Sequence, residues 1–204
     1  MSTSPRPDGR EIRAAIAPVE MRAAEGEART ATGYAVLFDA PANIYGLWTE
    51  VIAPGAFAGS LGQRDVVALH SHDSGRIVGR KNAGTLTLRE DARGLYFENP
   101  LPDTSDGRDL SVQIERGDIA GMSFGFVATR QTWDETVEPP KRTILEAELY
   151  EITYTAMPAY PDTTVGLRDL EHCRTEKREH NRAGAAARIA ARRARQAQAE
   201  RGIR

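Results

Sequence analysis

The chain has very little cysteine, because Cys173 is the only one among its 204 residues. No disulfide can form within the chain, which favours a reducing, cytoplasmic environment. The chain also lacks any apolar run close to the roughly 20 residues that cross a bilayer. Residues 1–10 are polar and lack the apolar segment of a secretory signal. We therefore expect no membrane partner.

Aromatic residues are also few, at 6%, whereas hydrophobic residues make up 40% and charged residues 27%. These proportions exclude collagen-like, membrane and fully disordered classes and fit a folded soluble protein. A chain of 204 residues is close to the usual size of one domain. We predict an N-terminal arm over residues 1–30, a folded domain over 31–170 and a tail over 171–204.

The net charge of −2 conceals a strong asymmetry along the chain. Residues 174–204 carry ten Lys or Arg and three Asp or Glu, a formal charge of +7 that leaves −9 for the rest. A basic, Ala-rich tail predicts a helix that could bind an acidic partner or nucleic acid. A solvated tail without a partner is an equal alternative, and nucleic-acid binding is not expected of the acidic body.

Short apolar runs separated by turn residues dominate the body. One helix is predicted over 109–116, after the capping residues 104–106 and before Gly117. An early strand is predicted near residues 11–19. Many short strands with few helices predict a mainly β (α+β) fold, a closed or nearly closed β-barrel with helical additions. The other predicted strands cover residues 33–38, 48–52, 65–69, 122–133 and 142–155, with a hairpin over 84–98.

The sequence Gly-Met-Ser-Phe-Gly-Phe places Ser123 between glycines within a predicted strand. Strand alternation puts Met122, Phe124 and Phe126 on the core face. Ser123 then faces away beside Gly125, which leaves open space for a substrate strand. The G-x-S-x-G pattern is typical of a nucleophilic serine, although a serine on a polar strand face is a frequent alternative. An α/β-hydrolase is excluded because a strand, rather than a helix, is predicted after the serine.

His70 and His72 lie two residues apart at the end of a predicted strand and are expected on one face. A serine nucleophile requires one imidazole within reach as its base. H-x-H also begins the metal pattern H-x-H-x-D-H, but Ser74 and Gly75 stand where that pattern has Asp and His. We predict no metal site and no cofactor. For His70, a strand-end residue that binds nothing remains the alternative.

A carboxylate commonly orients the base in such sites. Glu151 lies in the most strand-like part of an acidic run, where a buried carboxylate would require a partner. Glu146 and Glu148 alternate to the opposite face and are expected in solvent. Asp73 is more typical of a loop cap than of an orienting residue.

Several separated segments carry a resemblance to a known family. They are Gly-Tyr-Ala-Val-Leu-Phe at 33–38, Glu-Val-Ile-Ala-Pro-Gly-Ala-Phe at 50–57, His72-Asp73 with Ile-Val-Gly-Arg at 77–80, Gly-Asp-Ile-Ala-Gly-Met-Ser-Phe-Gly-Phe at 117–126, and Leu-Tyr-Glu-Ile-Thr at 149–153 with Met-Pro-Ala-Tyr at 157–160. In this order they resemble the HK97-type prohead (capsid maturation) proteases of tailed phages, a family similar in fold to the herpesvirus assembly protease.

The resemblance implies a serine endopeptidase with Ser123 as nucleophile, His72 as general base and Glu151 as the third member. The chain departs from the family pattern just before the histidine. It has Leu69-His70-Ser71 where an aromatic residue and Asn are usual. His70 is therefore an assisting or competing base in this interpretation.

The resemblance also implies the substrates and the setting. These are scaffold or the scaffold-like arm of the major capsid protein, and the protease itself, cleaved inside the prohead in the host cytoplasm. Self-association is expected, and the basic tail becomes an encapsidation or scaffold-binding extension. The alternatives are a non-catalytic capsid assembly or scaffolding protein and a serine esterase.

Overall fold

The computed structural model describes residues 9–15, 19–22 and 29–156, together with residues 171, 174, 175 and 178. The chain divides into two compact units, Met1–Val165 and Gly166–Arg204. The four described residues of the second unit are helical, and Thr175 Oγ1 donates to the Glu171 carbonyl at 2.9 Å. Cys173, the 157–160 segment and most of the predicted tail lie outside the described residues.

The described part of the first unit is mainly β, with two helices, which confirms the predicted class. No described helix is long and apolar enough to cross a membrane. In chain order the elements are β1 (Glu11–Ala15), β2 (Val19–Arg22), β3 (Thr30–Leu37), β4 (Ala42–Ile44), β5 (Trp48–Ile52), α1 (Ala58–Gln63), β6 (Val67–His70), β7 (Asp73–Arg80), β8 (Thr87–Glu90), β9 (Gly94–Pro100), α2 (Ser105–Arg116), β10 (Gly121–Asp134) and β11 (Lys141–Thr155).

These strands form two sheets. The larger sheet has the order β1-β10-β11-β5-β4, and β6 and β7 branch from β11. Its pairings are antiparallel except where β11 runs parallel to β5 and, further along, to β6. The smaller sheet has the antiparallel order β2-β3-β9-β8. The long strand β11 is therefore the element on which the larger sheet is assembled.

Of the predicted closed or nearly closed β-barrel, the closed form is wrong for the described strands, because neither sheet closes on itself. One edge of β11 is divided, with residues 141–144 paired to β5 and residues 151–154 paired to β6. The sheet branches there toward β4 and β7 instead of returning to β1. The two sheets contribute to one hydrophobic core, where the Phe97 and Tyr154 rings meet edge to face at 5.7 Å.

Local signals in the sequence located α2 and the two long strands β10 and β11. Thr104 caps α2 by accepting from the Gly107 N–H, and Gly117 ends it with a φ of 79°. β10 and β11 begin within one residue of their predicted starts. By contrast, α1 and β7 were not predicted, since α1 holds two glycines in six residues and β7 opens with Asp-Ser-Gly-Arg.

Candidate active site

Ser123 lies on β10 with its side chain on the face opposite the core. Met122, Phe124 and Phe126 belong to the buried core, as predicted. Ser123 itself is 0% exposed, and its hydroxyl donates to the Arg13 carbonyl at 2.8 Å. That carbonyl belongs to β1, which runs antiparallel along β10. The N-terminal strand thus covers the candidate nucleophile.

Gly125 lies two residues further along the same face of β10. It stands opposite Glu151 on β11, where the pairing register then shifts. A Cβ atom on this residue would lie 2.9 Å from Glu151 Cγ and 3.4 Å from Oε1. The glycine therefore leaves space for the Glu151 side chain, rather than the open space predicted for a substrate strand.

His72 occupies the two-residue turn between β6 and β7. Both turn residues have positive φ, 55° at Ser71 and 58° at His72, as in the type I′ turns that favour Asn-Gly. Non-glycine residues in this conformation are strained, which is common where a side chain has a function. The Ser71 N–H donates to the Tyr154 carbonyl at 2.9 Å and ties the turn to β11.

The turn brings His72 to Glu151. His72 Nδ1 lies 2.8 Å from Glu151 Oε1, and the two side chains are 19% and 10% exposed. A carboxylate oxygen accepts, so in the neutral imidazole this contact puts the proton on Nδ1 and the lone pair on Nε2. Nε2 is buried and makes no hydrogen bond to the part of the chain that the structure describes. This is the tautomer that a general base requires.

His70 lies on the other face of the sheet. It pairs with Tyr154 on β11, whose side chain belongs to the core, whereas Glu151 has the opposite alternation. The prediction that His70 and His72 share a face is wrong, because the strand ends at His70 and the left-handed turn redirects the chain. Burial lowers the pKa of His70, and the nearby Arg76 cation lowers it further.

Asp73 and Glu146 behave as predicted, but the prediction that Glu146 and Glu148 lie on the face opposite Glu151 is wrong. The pairing skips Tyr150, so Leu149 and Ile152 both reach the core and the three glutamates share the other face. Asp73 caps the turn by accepting from the Gly75 N–H at 2.8 Å. Glu146 is exposed and pairs with Arg130 at 2.7 Å, and Glu148 pairs with Arg64. Of the acids considered from the sequence, Glu151 is therefore the one that bonds to His72. Among the described residues, no three His, Cys, Asp or Glu side chains are grouped so as to hold a metal ion.

Four buried charges lie on the core-facing side of β1, and sequence analysis missed them. Arg13 donates to Glu50 at 2.6 Å and to Glu11 at 2.5 Å. Arg142 donates to Glu11 at 2.7 Å and to Glu50 at 2.9 Å. Burial alone raises the pKa of Glu50, but the two guanidinium groups outweigh it and hold that pKa below its ordinary value. The alternating charges of Glu11-Ile12-Arg13 were the sequence signal that could have indicated this cluster.

Comparison with known proteins identifies the family. A family model described as caudovirus prohead serine protease matches residues 17–177, well over half of the chain. The chain belongs to the caudovirus prohead serine protease family. It is similar to the prohead protease of Enterobacteria phage HK97, with 32% identity over 115 residues that cover 54% of this chain and 48% of the relative. The chain thus spans about half the length of that curated relative.

Family membership confirms the resemblance found in the sequence. Ser123, His72 and Glu151 all lie within the segment that the prohead protease model matches, whereas β1 precedes it. No solved structure is significantly similar to the chain. The similarity to the herpesvirus protease fold therefore remains a prediction.

Proposed function

We propose that this member of the prohead protease family is a serine endopeptidase of phage capsid maturation. Ser123 is its nucleophile, His72 its general base and Glu151 the carboxylate that orients the base. The observation that carries the proposal is the 2.8 Å contact between His72 Nδ1 and Glu151 Oε1, with Nε2 buried beside it. A histidine held in one tautomer by a carboxylate is the activating arrangement of serine hydrolases.

The proposed reaction is acyl transfer in two stages. His72 Nε2 removes the Ser123 proton as the hydroxyl oxygen attacks a peptide carbonyl, and Glu151 stabilises the resulting imidazolium. His72 then gives this proton to the leaving amine as the peptide bond breaks. Water, activated by the same imidazole, hydrolyses the acyl-enzyme and restores the serine. Before the attack, the Ser123 hydroxyl must turn from the Arg13 carbonyl toward Nε2.

The proposed substrates are capsid components. They are scaffold, or the scaffold-like arm of the major capsid protein, and the protease chain itself, all cleaved inside the prohead in the host cytoplasm. The name of the HK97 relative, prohead protease, supports this setting.

The proposal includes self-association, a fold of the herpesvirus-protease type, and an arm, body and tail over residues 1–30, 31–170 and 171–204. The basic tail then serves for encapsidation or scaffold binding, with nucleic acid as the alternative ligand.

Co-expression with the major capsid protein of the phage that encodes this chain tests the proposal. We expect the wild-type chain to process the capsid protein and Ser123→Ala to leave it intact. Ser74→Ala, at an exposed position in β7, is the matched control and should process normally. Identical unprocessed bands from wild type and Ser123→Ala would favour a non-catalytic assembly protein. Rapid turnover of small esters with no effect on capsid protein would favour an esterase.

A further inference from the structure

The edge of β10 beside Ser123 is occupied by β1. The register places Ala14 opposite Ser123 and Ile12 opposite Gly125 in an antiparallel ladder. An extended peptide that adds a strand to a sheet edge is a common mode of peptide recognition. β1 has the conformation and the position that such a peptide would take beside the nucleophile.

The contact at Ser123 is made by the backbone of β1, which lies beside it in the sheet. The Ser123 hydroxyl has a single proton and donates it to the Arg13 carbonyl, 110 residues away in the chain. Among the described residues, meanwhile, none is hydrogen-bonded to His72 Nε2. With β1 in place, the serine is therefore covered and is not bonded to its proposed base.

The side chains of β1 fit the surface beneath them by charge and by register. Arg13, aligned with Phe124, donates to both Glu50 carboxylate oxygens at 2.6 and 3.0 Å. Glu11, two residues earlier, accepts from Arg142 at 2.7 and 2.9 Å. A strand shifted by two residues would place its charges against the wrong partners.

From these contacts, and resting on the proposed function, we propose that the β10 edge is the substrate-strand site and that β1 is its intramolecular occupant. The site takes an extended peptide with a carboxylate, any residue, a guanidinium and a small residue in that order, as in Glu11-Ile12-Arg13-Ala14. The family match begins at residue 17, so β1 lies outside the segment shared with the family.

In the test, the full chain is folded first and β1 is then released by cutting. A recognition sequence for a site-specific protease is inserted between Ile16 and Ala17, and the folded protein is compared before and after cutting. The freed segment is removed by gel filtration in urea below the unfolding transition, with circular dichroism to follow the fold. Labelling of Ser123 by a fluorophosphonate and binding of a fluorescent peptide with the sequence of residues 9–16 are then measured.

We expect cutting and removal of β1 to speed the labelling of Ser123 by at least about tenfold, because the competent fraction rises. The peptide of residues 9–16 should bind and slow the labelling again. A peptide with Glu11 and Arg13 exchanged has the same composition and should bind more than about tenfold more weakly, because like charges meet.

Three results would overturn the inference. They are unfolding on removal of β1, a segment that cannot be removed from the folded body, and equal binding of the two peptides. The first two would show that β1 is a structural strand. The third would show that the site does not recognise the order of charges in the peptide. Failure of the proposed function gives a different result, in which the peptides bind with the expected preference but Ser123 is never labelled.

Discussion

Gly125 fixes the position of the Glu151 carboxylate by having no side chain. A Cβ atom there would lie 2.9 Å from Glu151 Cγ, and the end of that side chain is held by His72. Gly125→Ala must therefore displace a carboxylate that orients the proposed base. Small displacements of this kind can slow catalysis about 10- to 100-fold without unfolding the protein.

We expect Gly125→Ala to lower the rate of capsid-protein cleavage by that factor while the thermal unfolding transition remains cooperative. Gly59→Ala in α1 is the matched control, since a Cβ atom there has open space. An unchanged cleavage rate in Gly125→Ala would show that the position of Glu151 does not matter for activity.

Glu151→Gln tests the tautomer of His72. The glutamine amide can donate to Nδ1, which would move the imidazole proton to Nε2 and remove the lone pair that takes the serine proton. We expect the cleavage rate to fall about 10³- to 10⁴-fold, as for loss of the carboxylate in other serine triads. Single-turnover cleavage measures this, and Glu148→Gln, which alters the acid paired with Arg64, should have far less effect.

The β6–β7 turn is the element that presents His72, and it does so in a strained conformation. Ser71 has a φ of 55°, which glycine adopts without steric cost. We expect Ser71→Gly to raise the free energy of unfolding by about 1 kcal/mol and to leave activity within a few fold. Urea denaturation gives the stability.

Ser105→Gly is the control for this change. Ser105 is the first residue of α2, and glycine weakens a helix. The same substitution should therefore destabilise the protein there. If Ser71→Gly destabilises the protein as Ser105→Gly does, the positive φ of Ser71 does not strain the turn.

Elements with strong local signals could be predicted from sequence. Thr104 and Gly117 bound α2 through capping and a left-handed C-cap, and the alternation on β10 assigned Ser123 to the outer face. The turn at His72 could not be predicted in the same way, because Ser-His is unusual at two positive-φ positions. This is why the prediction that His70 faces the same side as His72 was wrong, although His72 was correctly placed beside Glu151 as the candidate base.

At the scale of the whole molecule, four buried charges join β1 to β5 and β11. Glu50 has a pKa below its ordinary value of 4.5 because Arg13 and Arg142 outweigh its burial. A lowered pKa in the folded state adds stability above 4.5, and that stability is lost as the pH falls through the folded pKa. We expect the free energy of unfolding to decrease on acidification below 4.5, measured by urea titration at a series of pH values.

Glu50→Gln should weaken that dependence and destabilise the protein by about 3 to 5 kcal/mol at neutral pH, because two buried guanidinium groups lose a carboxylate. Glu146→Gln, at an exposed pair with Arg130, is the control and should cost no more than about 1 kcal/mol. Equal effects of the two changes would contradict the role assigned to the buried cluster.

Pairings between distant parts of the chain were the least predictable features. The branching of the sheet at β11 depends on which strands meet its two halves, and no local pattern specifies that. The contact between Arg13 and Ser123 is likewise set by the tertiary fold. The candidate site residues could be chosen because they lie in the motifs that resemble the family. The pairing of β1 beside Ser123 could not be predicted.

The distance along the chain between β1 and β10 has a consequence for synthesis. Arg13 leaves the ribosome 110 residues before Ser123, an interval of roughly 5 to 20 s at usual translation rates. The strand that is made first must therefore wait for its partner. When the serine finally emerges, the strand that pairs beside it is already present on the same nascent chain, so the two can pair as soon as β10 folds.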